Sequence, residues 1–209
     1  MRNIFVAIVM AMLVQSNAAA DIIDFERLGL NPGDVIPQSL GDSSAVDVSF
    51  GSTPWNSPDG DVSGSLIFAD TGYGDLSNFI HWPGFDGGGF IAGTVVLFGS
   101  DNHEVTLESF DAALVGDLTE SVSVRIFDGQ ENLLYEQLNV GIDVGTHVTF
   151  EPNVTADHLI LKWTGIDSTR NQGVDNIQFS VNQIPEPSGI GFVFLASAGC
   201  ALRRRRTIR

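Results

Sequence analysis

Residues able to do chemistry are few and scattered. The four histidines, His81, His103, His147 and His158, stand far apart. His103-Glu104 lacks the second histidine four residues after the first that a zinc-hydrolase helix needs. No G-x-S-x-G elbow and no phosphate-binding loop is present. Carboxylates are so abundant that some pair always falls at about 5 or 9 Å, so no glycosidase pair follows from their presence. The single cysteine, Cys200, lies in an apolar run and excludes a disulfide framework and a cysteine-based zinc site. Aromatic side chains offer a different chemistry, because the apolar faces of sugars stack on exposed rings. Trp55 sits between Pro54 and Asn56, Trp82 precedes Pro83 in a glycine-rich stretch, and Tyr73 lies near another glycine. These three are the candidate glycan contacts. Trp163 is in phase with Leu159 and Leu161 and reads as core.

The elements that must position these residues read as strands. Runs rich in Val, Ile, Phe and Thr recur between clusters of Gly, Asp, Asn and Pro, at 21–26, 46–50, 64–69, 94–99, 104–110, 122–128, 133–138, 146–150, 158–164 and 174–181. Alternation fixes their faces. Val122, Val124 and Ile126 share one side with Arg125 opposite, Leu159, Leu161 and Trp163 share one with Lys162 opposite, and Ile177, Phe179 and Val181 share one. Turn signals stand at Asn31-Pro32-Gly33-Asp34, Ser57-Pro58-Asp59-Gly60 and Asp128-Gly129. Ten short strands and no sustained helical period predict an all-β antiparallel sandwich of jelly-roll type.

Charge divides the chain of 209 residues into three parts. Residues 21–184 carry 25 acidic and 4 basic side chains, a net of −21. Such a surface repels phosphate and excludes nucleic acid and anionic membrane surfaces as partners. Residues 1–20 read as a signal peptide: Arg2, an uncharged apolar run from Ile4 to Val14, then Ala18-Ala19-Ala20 as a cleavage site. At the other end, the fourteen uncharged residues Gly189–Leu202 precede Arg203-Arg204-Arg205-Arg206. Fourteen helical residues span about 21 Å, short of a ~30 Å hydrocarbon core. The arginines favour the cytoplasmic side. The sequence therefore predicts a signal helix over 1–20, a sandwich over 21–183 and a tail over 184–209 with a marginal membrane helix.

This tail resembles the PEP-CTERM sorting signal: Pro185-Glu186-Pro187-Ser188, a short apolar helix and the cluster Arg203–Arg206. The resemblance implies recognition by exosortase, a membrane-embedded processing enzyme. The chain would be held in the inner membrane through its C-terminal helix only until it is cut near Pro-Glu-Pro, and would then reach the cell surface or the extracellular space. The body carries a second, pattern-level resemblance. Its opening Asp24-Phe25-Glu26 and its closing Val174-Asp175-Asn176-Ile177 look like the first and last strands of carbohydrate-binding-module-like jelly rolls. In those folds the two strands are neighbours and carboxylates from each hold a structural calcium. The matching positions are Glu26 and Asp175, with Asp24 as a third. Asp175 also has the parity of Ile177 and Phe179, and an inward carboxylate needs a partner.

Together these readings favour a non-catalytic surface or matrix protein that binds extracellular polysaccharide. A secreted polysaccharide hydrolase or lyase and a structural adhesin binding protein partners are the competing readings, and a jelly roll hosts any of them.

Overall fold

The computed structural model describes residues 20–26, 28–69, 74–76, 78–81, 91–114, 121–165 and 172–184. They form twelve strands and no helix: β1 (Ala20–Ile23), β2 (Val46–Pro54), β3 (Ile67–Ala69), β4 (Phe79–His81), β5 (Ile91–Gly99), β6 (His103–Leu114), β7 (Ser121–Asp128), β8 (Leu133–Gly141), β9 (His147–Phe150), β10 (Val154–Ala156), β11 (His158–Gly165) and β12 (Gln172–Gln183). All ten expected runs contain a strand. β4 and β10, three residues each, went unread because so short a run carries no period. The signal segment 1–19, the sorting residues Pro185, Glu186, Pro187, Ser188 and Arg203–Arg206, and Tyr73 and Trp82 lie outside the described residues.

Two antiparallel sheets make the sandwich. One runs β10-β6-β12-β4-β3, with β1 added along β12 and β9 along β6. The other runs β2-β5-β11-β7-β8. The first and last strands are neighbours, with Asp21 opposite Phe179 and Ile23 opposite Ile177.

Alternation decides what lies between the sheets. Leu159, Leu161 and Trp163 point inward from β11, as do Val122, Val124 and Ile126 from β7 and Ile177 and Phe179 from β12, and all are buried. The sheets meet through rings such as Phe25 against the edge of Phe50, centroids 6.4 Å apart. Phe110 on β6 stacks on Phe150 of the adjacent β9 at 5.1 Å. Trp163 fits because the residue opposite it on β5 is Gly93. A Cβ at Gly93 would stand 2.4 Å from the indole ring.

Candidate functional site

β5 and β11, in the middle of the five-stranded sheet, are apolar on both faces. Val95 and Leu97 go inward while Val96 and Phe98 go outward, and Ile160 goes outward between Leu159 and Leu161. Strands of this kind need cover on the outer face as well. Part of it comes from the segment after β2. Val96, Phe127 and Ile160 form a small outer cluster against which Val62 packs. The segment approaches so closely that a Cβ on Gly60 would stand 2.9 Å from Ile160.

Two anchors hold this segment down. Ser52 and Ser63 exchange backbone hydrogen bonds, both 2.9 Å. The second anchor is Lys162, which alternation sets opposite Leu159, Leu161 and Trp163; it leaves the outer face of β11 but is 0% exposed. Its Nζ donates to the carbonyls of Ser57 and Pro54 (the latter at 3.4 Å) and lies 5.7 Å from the Phe127 ring centroid. Burial pulls its pKa down to about 8 against the opposing pull of Asp59.

Beyond the covered half, the outer face opens into a groove of about 600 Å³. Phe98, Ile160 and Val96 contribute its apolar floor, the segment 58–62 one wall, and the turn Asp128–Glu131 another. Phe98 is 47% exposed. His158 packs edge-on against it, centroids 5.4 Å apart at 83°. The His158 Nε2 atom is buried without a hydrogen-bond partner. Burial lowers the His158 pKa, outweighing Asp157 and Asp128, so the imidazole is neutral at pH 7. The turn is built by Asp128, which accepts from the Gln130 and Asn132 backbone N–H at 2.9 and 2.8 Å and from Asn132 Nδ2 at 2.9 Å. The Asn132 side chain leads in holding its carboxyl below the usual range. Five carboxylates line the groove: Asp47, Asp59, Asp61, Asp128 and Glu131.

The residues singled out from the sequence fall elsewhere. Trp55, a candidate glycan contact, is only 8% exposed. The Arg125 guanidinium lies 4.6 Å from its ring centroid, and Arg125 is held in turn by Glu136 at 2.7 Å. Trp55 therefore presents no open ring face to a ligand. Among the described residues, Phe98 is the exposed ring that the sequence reading missed. Its signal was the unbroken run Val95–Phe98, too apolar for a strand with one wet face.

Asp175 is 3% exposed, although its neighbour Val174 is core and a register shift after Asp175 breaks its phase with Ile177 and Phe179. It stands opposite Asp111 of β6, at the start of an irregular stretch of the β6–β12 ladder, and accepts from the Asn176 N–H at 2.7 Å. The Phe25 N–H also reaches its carboxylate. Burial, with Asp111 and Glu26 nearby, pushes its pKa up to about 6. Asp111 accepts from Thr149 Oγ1 at 2.6 Å and Asn176 Nδ2 at 2.8 Å. Glu26 is near enough to help raise the Asp175 pKa; no hydrogen bond or ion pair among the described residues joins Asp24 to Asp175. Among the described residues, no three His, Cys, Asp or Glu side chains converge to hold a metal ion. His147 is tied to Asp75 at 2.7 Å, and the other histidines lie apart from it.

No family model and no curated protein sequence matches the chain. Among solved structures it is similar to a cyclase from Fischerella sp. TAU, at 13% identity and a TM-score of 0.47, covering 80% of this chain and 100% of that one. It is also similar to a DUF4465 family protein from Bacteroides caccae, at 12% identity and a TM-score of 0.42, covering 77% and 98%. A third is the CBM22-1 xylan-binding domain from Paenibacillus barcinonensis Xyn10C, at 14% identity and a TM-score of 0.32, covering 81% and 98%.

Proposed function

We propose that this chain is an exported, non-catalytic polysaccharide-binding protein of the cell surface or extracellular matrix, built on a jelly-roll sandwich, with the groove beside Phe98 as its glycan site. The observation that carries this reading is an aromatic ring 47% exposed on the floor of a concave groove edged by carboxylates. A ring takes the C–H face of a sugar, and carboxylates accept from its hydroxyls. The same rigid sheet that buries Leu97 inward fixes Phe98 outward, so the platform is preformed. Export follows the terminal signals: removal of residues 1–20, brief anchoring by the apolar helix, and processing by exosortase near Pro185-Glu186-Pro187.

Titration calorimetry of the full-length protein with neutral oligosaccharides tests the binding claim. Phe98→Ala should weaken binding at least tenfold with an unchanged melting temperature. Binding indifferent to that substitution overturns the site. Release of reducing ends from the same polysaccharides overturns the non-catalytic reading.

Calcium belongs to this reading as a structural ion. Asp175 and Glu26, with Asp111 beside them, offer only oxygen, which suits calcium, and the buried Asp175 carboxylate lacks a cationic neighbour among the described residues. With fewer than three converging side chains, backbone carbonyls and water would complete the shell.

A further inference from the structure

The groove has a sign as well as a shape. The floor is apolar, and every charged group on its described lining is a carboxylate. Asp128 is committed to its own turn, and Asp59 Oδ1 accepts from the Asp61 N–H at 3.1 Å. The carboxylates of Asp47, Asp61 and Glu131 make no hydrogen bond or ion pair among the described residues, and all three are exposed. Among the described residues, the two cations on this face of the sheet are both engaged elsewhere. Lys162 is turned under the segment 54–57, and Arg125 lies over Trp55 and pairs with Glu136. His158 adds no charge at neutral pH. Low-dielectric walls lined by one sign of charge focus the field at the mouth of a cleft.

Resting on the glycan-binding reading, we propose that this groove selects polysaccharides carrying protonated amines, that is, amino sugars lacking their N-acetyl groups, and rejects uronate and sulfated chains. A protonated amine within reach of Asp47, Asp61 or Glu131 gains a charge-assisted hydrogen bond while the sugar face rests on Phe98. An N-acetylated chain keeps the stacking and loses the charge. A uronate puts like charges together in the groove.

The test compares three hexamers of equal length binding to the full-length protein: glucosamine, N-acetylglucosamine and galacturonate. The glucosamine hexamer should bind at least tenfold more tightly than its N-acetylated form, and the galacturonate hexamer should not bind measurably. The advantage should shrink in high salt and at a pH above the titration of the sugar amine. It should fall below threefold in the combined variant Asp47→Asn, Asp61→Asn, Glu131→Gln, whose melting temperature should not drop. Equal binding of the amino and N-acetylated hexamers, both dependent on Phe98, overturns the selectivity and leaves the glycan site standing. Failure of all three hexamers overturns both. A preference that survives in the combined variant traces to the acidic exterior at large and overturns the assignment. Hexalysine binding as tightly as the glucosamine hexamer also overturns it, since the groove would then collect cations without reading a sugar.

Discussion

Lys162 Nζ donates to the carbonyl oxygen of Ser57, 105 residues earlier in the chain, and so ties the outer face of β11 to the segment that walls the groove. The bond is a consequence of burying an ammonium: desolvated, it must find acceptors, and the Ser57 and Pro54 carbonyls supply them.

Lys162→Met keeps the stem of the side chain and removes the donors. Two carbonyls lose their partner, a loss of roughly 1–3 kcal/mol. Limited proteolysis should open first within 55–62, ahead of the rest of the sandwich. The pH dependence follows from the lowered pKa. The unfolded lysine holds its proton up to about 10.5 and the folded one loses it at about 8, so the unfolded state binds more protons in that window and stability rises with pH across it. Denaturation of the two proteins between these limits should show the rise in the natural chain and its loss in Lys162→Met. Parallel curves would refute the buried ammonium.

Alternation made the inner faces of this sandwich legible. Val124, Ile126, Leu159, Leu161, Ile177 and Phe179 are all in the core where period two places them. The outer face was not legible in the same way. Period two assigns Lys162 to the outside but says nothing about a second layer there, and the cover is built by a segment more than a hundred residues away in sequence. The setting of Trp55 was hidden for a related reason. Its neighbours Pro54 and Asn56 mark a turn, yet Arg125, three strands across the sheet, closes over the ring. Asp175 was not legible by the same rule, because Val174 beside it is core as well and a register shift between Asp175 and Gln178 breaks the phase with Ile177 and Phe179.

Asp175 also makes stability depend on pH in a particular direction. Its folded pKa, about 6, lies above the ordinary 3.8. The folded state therefore binds more protons between these values, and stability from this group is lost as pH rises through that window, by on the order of 3 kcal/mol. In chelator at pH 7, Asp175→Asn should melt at a higher temperature than the natural protein. In millimolar calcium the natural protein should gain stability that Glu26→Gln and Asp175→Asn do not. Sodium chloride at matched ionic strength separates binding from screening. Equal effects of sodium and calcium would remove the ion from the account.

The terminal signals make a separable claim. Mass spectrometry of the surface or extracellular form should find Asp21 at the N-terminus and a C-terminus near Pro185-Glu186-Pro187, with the full tail confined to the membrane fraction. An extracellular form still ending at Arg209 would contradict exosortase processing.

The central claim is that glycan sits on the outer face of the five-stranded sheet, beside Phe98. Hydrogen exchange of the full-length protein with and without a bound oligosaccharide tests it most directly, because the groove draws on segments far apart in sequence. Added protection should appear together in 58–62, 96–98, 128–131 and 158–160, and should vanish in Phe98→Ala. Protection centred on the outer face of the other sheet, with these four segments unchanged, would contradict the account.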